Sequence, residues 1–389
     1  MKILLAIHHP LDPNLGAPGV TWRLGQEYIK LGHEVKFFSF DDLPKFLPDL
    51  AKGVLFPEFL ASKISTLVKQ EGIDVIDAST GDSWVWAKWI KPLLKKTPLL
   101  VTRSHGLEHT VHFQLLKDVN LGKAKLSWKY PIYHGGFHLW EVATSMRLAD
   151  LVLCLNHHDL QYAIKNLGVS PEHVHVVNNG ISSHLLELTM ESLSENSKIR
   201  IAHIGSYIPR KGIEYSVPAL TRILQKFPDI EVSFLGVMVP QERVLADFDP
   251  SLHNRIHVIS KYQNSDLPSL LAGHSIHLFP SLSEGWGLAV VEAMACGLAP
   301  IISNIPGPTE MVKHDFDALI VPPRDSEAIE EAITKLIGDR AYLEKLRTNA
   351  YKTAQGYAYT NIAKQNLDLY TERLLQLQSK HCKLDFMQN

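Results

Sequence analysis

Short apolar runs recur along the chain, each closed by a turn signal and followed by a segment with helical spacing. In the first half they are Ile3–Ile7, Glu34–Phe40, Ile73–Ile76, Pro98–Arg103, Leu151–Leu155 and Val174–Val177. In the second half they are Ile199–Ile204, Ile230–Leu235, Arg255–Ser260, Ile276–Phe279, Ala299–Ser303 and Ala318–Val321. Between them, helices are predicted over Val20–Leu31, around Ile64–Gln70, over Glu141–Leu148, Ile213–Gln225, Asp266–Ala272 and Leu288–Cys296, and later over Ser326–Lys335, Ala341–Tyr351 and from Tyr359 to about Leu377. Strands without alternation, separated by helices, imply parallel sheets covered on both faces. The fold class is therefore α/β, with two Rossmann-like domains, 1–180 and 199–358, a polar linker at 181–198, and a C-terminal helix with a loose tail over 359–389. In such sheets ligands lie beyond the carboxyl ends of the strands, so the loops there carry the candidate chemistry.

Composition narrows the class. With 389 residues, 45% of them hydrophobic and 21% charged, the chain exceeds one hydrophobic core and is ordinary globular protein. A net charge of -2 gives no reason to expect a nucleic-acid partner. Cys154, Cys296 and Cys382 have no metal-ligand spacing and fit a reducing compartment. The apolar start is too short for an export signal, and no stretch approaches the roughly 18 apolar residues of a bilayer span. A cytoplasmic enzyme is expected, with membrane contact at most peripheral.

The most informative stretch runs from Ser281 to Gly297. Gly285 and Gly287 lie between a strand and a helix, where a missing Cβ admits a ligand and leaves helix amides, from Leu288 on, available to an anion. Glu284 and Glu292 are eight residues apart, a spacing that predicts carboxylates on one side. Carboxylates only accept hydrogen bonds, which suits sugar or ribose hydroxyls; two solvated glutamates on an ordinary helix are the plain alternative. Gly16-Ala-Pro-Gly19 reads as a loop before the first helix, and His105 stands at the end of a strand. Trp84, Trp86 and Trp89 suit either an acceptor site or core packing. Glu108, His109 and His112 lack zinc-motif offsets, and Asp247-Phe-Asp249 and Asp315-Phe-Asp317 read as polar loops, so no metal site is expected.

Glu284-Gly-Trp-Gly-Leu-x-x-x-Glu292-Ala-Met-Ala-x-Gly297, then Pro300 and Gly307-Pro-Thr-Glu310, resembles the signature of retaining glycosyltransferases of family 4, which have the two-domain GT-B fold. The resemblance implies transfer of a hexosyl unit from a UDP- or GDP-sugar, with retention, in a cleft between the domains. The acceptor would be a sugar, lipid-linked or small-molecule hydroxyl, with peripheral membrane association if it is lipid-linked. It gives Glu284 the donor sugar, Glu292 the ribose and Lys211 the departing diphosphate, with Gly205, Gly236, Gly285, Gly287 and Leu288 around the nucleotide. It places Gly16 and Gly19 near the phosphates and His105 near the transferred sugar, and requires no cofactor or metal. Asn178–Ile181 resembles the family's hinge, and the last helix the tail that packs back across the domain junction. One departure stands out: Ser206 occupies the place of the usual arginine, with Arg210 the candidate substitute. A sugar-nucleotide epimerase or hydrolase, or a sugar-nucleotide-binding protein without catalysis, are the competing readings.

Overall fold

The computed structural model describes residues 1–194 and 197–388, those from 380 on by backbone alone. They form two compact units, Met1–Gly180 with Tyr359–Asn389, and Ile181–Ala358.

In the first unit six strands form one parallel sheet: β1 (Lys2–Ala6), β2 (Glu34–Phe38), β3 (Val75–Ser79), β4 (Leu99–Arg103), β5 (Leu151–Cys154) and β6 (Val174–Val176). Their order is β2-β1-β3-β4-β5-β6, so the winding reverses between β1 and β3. Fully buried Leu4, Phe56, Ile76, Trp86 and Leu100 contribute to its core. The strand expected at Ile73–Ile76 lies two residues later because Asp77 is an internal strand residue. A buried Arg103 guanidinium satisfies it, with Nη2 2.6 Å from Asp77 Oδ2. Tyr370, in the helix Tyr359–Gln388, completes this group by donating its hydroxyl to Asp77 Oδ2 at 2.5 Å.

Three sequence expectations in this unit are corrected. The first helix begins at Gly16, so Gly16-Ala-Pro-Gly19 is its first turn rather than a loop. Proline is tolerated there because a first-turn N–H has no partner within the helix. Glycine at 19 serves close packing, since a Cβ would stand 2.7 Å from the Pro13 carbonyl oxygen. The helix near Ile64 spans Asp49–Gln70 and carries Pro57 within it, so its first half was hidden behind an apparent breaker. A helix over Glu108–Asn120 was not anticipated; His109 is its one buried residue, which leaves almost no apolar stripe to read. The final helix runs beyond Leu377, and side chains from 380 on, where a loose tail is expected, lie outside the described residues.

The second unit holds β7 (Arg200–Ile204), β8 (Glu231–Leu235), β9 (Ile256–Ile259), β10 (Ile276–Phe279), β11 (Ala299–Ser303) and β12 (Leu319–Val321). Their order, β12-β11-β10-β7-β8-β9, is the doubly wound arrangement that reverses at its centre, between β7 and β10. Residues 181–198, read as a linker, group with this unit. Their polar composition conceals backbone carbonyls used as acceptors: Tyr351 Oη donates to Leu188 O at 2.6 Å and Arg347 Nη2 to Glu191 O at 3.0 Å. Glu195 and Asn196 lie outside the described residues. Among the described residues no helix is long and apolar enough to cross a membrane.

Candidate active site

The loops that follow β7 and β10 leave the second sheet at its switch point and are locked together by glycine. Gly212 has φ +74°, and a Cβ on it would stand 2.0 Å from the Pro280 carbonyl oxygen. Leu282 N donates to Arg210 O at 2.8 Å across the same seam. This close approach brings Lys211 Nζ to 2.5 Å from Glu284 Oε1. Arg210 Nη1 donates to Ser283 O at 2.9 Å and lies 3.6 Å from the same carboxylate. Gly205, at φ +132°, lies beneath the lysine stem, where a Cβ would come within 3.4 Å of Lys211 Cε. Burial raises the Glu284 pKa, but the Lys211 and Arg210 cations outweigh it and hold the carboxyl below its ordinary range. Beneath the lysine, His203 and His277 are pushed down to about 4 and about 3, first by burial and then by neighbouring cationic groups that include Lys211.

Gly287 caps the helix Leu288–Ala295 at φ +90°, and its absent Cβ leaves room for Pro308, whose Cγ would be 3.0 Å away. Gly307 approaches the Gly285 carbonyl oxygen so closely that a Cβ would lie 2.6 Å from it. Glu284 therefore precedes the helix, and the eight-residue count to Glu292 crosses four non-helical residues. Helical periodicity therefore does not by itself relate the directions of the two carboxylates. Each has its own surroundings: Glu284 faces two cations, while buried Glu292 accepts a hydrogen bond from Asn264 Nδ2 at 2.8 Å. Tyr262 adjoins this second group; burial first, then the Glu292 charge, raises its phenol pKa. Gly236 packs against the same ring, at φ +73° with a Cβ position 2.9 Å from Tyr262 Cε1.

Gly205, Gly236, Gly285, Gly287, Leu288, Arg210, Lys211, Glu284 and Glu292 thus all belong to the second unit, whereas Gly16, Gly19 and His105 belong to the first. His105 lies two residues beyond β4, and its buried Nδ1 has no hydrogen-bond partner. Burial, followed by Arg103, His8 and His9, lowers its pKa to about 3, so the ring is neutral at pH 7. The tryptophans separate: Trp86 is core, Trp89 is exposed, and Trp84 donates Nε1 to Glu141 Oε1 at 3.0 Å. Among the described residues no group of three or more His, Cys, Asp or Glu side chains is arranged to hold a metal ion. Sequence reasoning missed Tyr262 and Asn264, and it read Gly212 only as the end of the Arg210-Lys211-Gly212 run, without its contact with Pro280; Asn264 carried no local signal.

The sequence pattern of the Glycosyl transferases group 1 fits residues 187–353, and that of Glycosyltransferase Family 4 fits residues 16–185. The chain belongs to the family 4, group 1 glycosyltransferases. This glycosyltransferase is 22% identical over 343 residues to the UDP-Gal:alpha-D-GlcNAc-diphosphoundecaprenol alpha-1,3-galactosyltransferase of Escherichia coli, covering 85% of this chain and 84% of the relative. Its fold matches sucrose-phosphate synthase from Thermosynechococcus elongatus with a TM-score of 0.77 at 19% identity, over 95% of this chain and 98% of that one. It also matches Anabaena HepE, crystallised in complex with UDP, with a TM-score of 0.70 at 19% identity, over 96% of this chain and 100% of that one. The glycosyltransferase has the GT-B fold.

Proposed function

We propose that this glycosyltransferase moves a hexosyl unit from a UDP- or GDP-sugar to a sugar, lipid-linked or small-molecule hydroxyl, with retention at the anomeric carbon. The observation that carries the reading is the Lys211–Glu284 pair, 2.5 Å apart at the switch point of the second sheet. As the bond between the anomeric carbon and the phosphate oxygen breaks, negative charge grows on the diphosphate, and a fixed cation stabilises that charge more than it stabilises bound donor. Lys211 supplies the cation and Arg210 adds a second, more exposed one in place of the arginine absent at Ser206. Glu284 accepts hydrogen bonds from the sugar hydroxyls and Glu292, steadied by Asn264, from the ribose hydroxyls. The acceptor oxygen bonds to the anomeric carbon, and its proton passes to the departing phosphate oxygen on the same face. No protein carboxylate is then required as base. His105, kept neutral by burial, serves as a hydrogen-bonding group for a substrate hydroxyl.

The donor class draws support from the Escherichia coli relative, whose name specifies UDP-Gal, and from HepE, whose structure holds UDP. We place the enzyme in the cytoplasm, where nucleotide sugars are available, and assign it no cofactor or metal. The test is calorimetric titration with UDP, GDP and ADP without metal, then with their sugars and candidate acceptors, with the product anomer read by NMR. Selective binding of one nucleotide and a product of unchanged configuration are expected. Binding of none of them, with or without magnesium, would overturn the proposal; release of free sugar or an epimer without acceptor would favour the hydrolase or epimerase.

A further inference from the structure

His105, the residue of the first unit assigned to a substrate hydroxyl, is neutral, and a neutral imidazole donates from one nitrogen and accepts at the other. Which nitrogen does which is set by what the inward one meets. The ring is half-buried, and Nδ1 is its buried nitrogen, without a hydrogen-bond partner among the described residues. Nε2 is left for substrate.

Strand register gathers polar side chains next to this nitrogen. Asp77 is the register partner of Leu5 and Val101, and Ser79, two residues on, is the partner of Arg103. Because strand residues two apart share a face, Asp77, Ser79 and Arg103 stand on the same side of the sheet. With His105 and with Thr21 and Leu24 of the first helix, they wall a cavity of ≈ 10 Å³. Ser79 Oγ is buried and, like His105 Nδ1, has no partner among the described residues. The other polar walls are already engaged: Arg103 directs Nε and Nη2 to Asp77 and Nη2 also to Tyr370, and Thr21 Oγ1 donates to Ala17 O at 3.1 Å. The volume is about that of one water-sized probe, and a space of this size holds a water where polar groups line it. Two buried polar atoms left unpaired cost free energy that a bridging water removes.

We propose that one buried water joins Ser79 Oγ to His105 Nδ1 and fixes His105 as the tautomer protonated on Nε2, which makes Ser79 a positioning residue for transfer. The direction of the hydrogen bonds follows from Arg103. After burial, this cation is the largest influence against positive charge on the ring. Beside it a lone pair on Nδ1 is favoured and an N–H disfavoured. The Ser79 hydroxyl donates to the water, the water donates to Nδ1, and Nε2–H is presented as a donor to a substrate oxygen. The consequence for transfer rests on the transferase reading, whereas the link between Ser79 and His105 does not.

The test is nitrogen NMR of the full chain with labelled histidine, the His105 signals being those missing from His105→Gln, alongside a crystal structure that resolves ordered water. A water within hydrogen-bond distance of Ser79 Oγ and His105 Nδ1, and nitrogen shifts of a ring protonated on Nε2, are expected. Ser79→Ala should spread His105 over both tautomers and lower transfer by about tenfold, the net worth of one hydrogen bond, with nucleotide affinity unchanged. Ser79→Thr, which restores the hydroxyl, should recover both. A wild-type ring protonated on Nδ1, a cavity without water, or a Ser79→Ala ring with an unchanged tautomer would each overturn the proposal. Should Ser79→Ala fail to fold, the wild-type spectrum and the wild-type water decide. The expected water and tautomer in an enzyme that transfers to no acceptor would sink the transferase reading and leave the link between Ser79 and His105 standing; transfer by an enzyme with the opposite tautomer would do the reverse.

Discussion

Lys211 and Glu284 are 73 positions apart in the chain, yet Nζ and Oε1 are 2.5 Å apart in the fold. In the proposed mechanism the carboxylate holds the ammonium in place and accepts hydrogen bonds from the donor sugar. Glu284→Gln preserves volume but removes the charge and one accepting oxygen. Transfer should fall roughly 100- to 1,000-fold, in the range seen on removing one transition-state contact, while nucleotide affinity is largely kept. Calorimetry and a transfer assay on the same preparation check this; full transfer activity in the variant would remove Glu284 from the mechanism.

The two cations should be unequal. The Lys211 side chain is 15% exposed against 41% for Arg210, so water screens the arginine far more. Lys211→Ala also leaves Glu284 as an uncompensated anion beside the incoming diphosphate. Nucleoside diphosphate affinity should drop by about 100-fold or more for Lys211→Ala, as for truncating one partner of a buried charge pair. Arg210→Ala should cost less than about tenfold, as expected for a screened pair. Equal losses in calorimetry would mean that Arg210 carries the role left open by Ser206.

Most of the scaffold was legible because a parallel sheet buried on both faces leaves continuous apolar runs, and all twelve runs became strands. What the pattern concealed were places where polar groups satisfy one another over long separations. Asp77 reads as the end of a strand until Arg103 and Tyr370 are seen to neutralise it. Pro57 reads as a breaker although the helix passes through it. In the site, Lys211 and Glu284 were singled out by family resemblance, but their contact depends on Gly212 meeting the Pro280 carbonyl, which no spacing reveals. The helical count between Glu284 and Glu292 had no basis for a local reason: Gly285 to Gly287 separate Glu284 from a helix that begins at Leu288, where it was expected.

The Asp77 group ties the last helix to the first sheet. Arg103 Nη2 donates to Tyr370 Oη at 3.0 Å as well as to Asp77, and Tyr28 Oη lies 3.3 Å from Tyr370 Oη. Asp77→Ala would strand a buried guanidinium and should cost about 3–5 kcal/mol. Tyr370→Phe, which removes one donor, should cost about 1–3 kcal/mol. Hydrogen exchange in β3 and β4 reads the effect locally, without assuming that the two units unfold together. Unchanged protection in Asp77→Ala would show that the network adds nothing to stability.

His8 gives the first unit a pH dependence of definite sign. Its Nδ1 lies 2.7 Å from Asp82 Oδ1. Burial disfavours the imidazolium, but Asp82, aided by Glu108 and Glu141, outweighs it and lifts the pKa from 6.5 to about 9. The folded value exceeds the unfolded one, so this stabilisation is fully present below the unfolded pKa and is lost as pH rises through the folded pKa. Relative to His8→Gln, the wild-type enzyme should be more stable by on the order of 2 kcal/mol near pH 6, with the advantage shrinking as pH rises from 6.5 and gone above about 9. Unfolding measured across that span, with the His8 ring protons followed by NMR, checks both the midpoint and the sign. An advantage that grew with pH would mean that the ring is neutral in the fold and that Asp82 is held by something other than an ion pair.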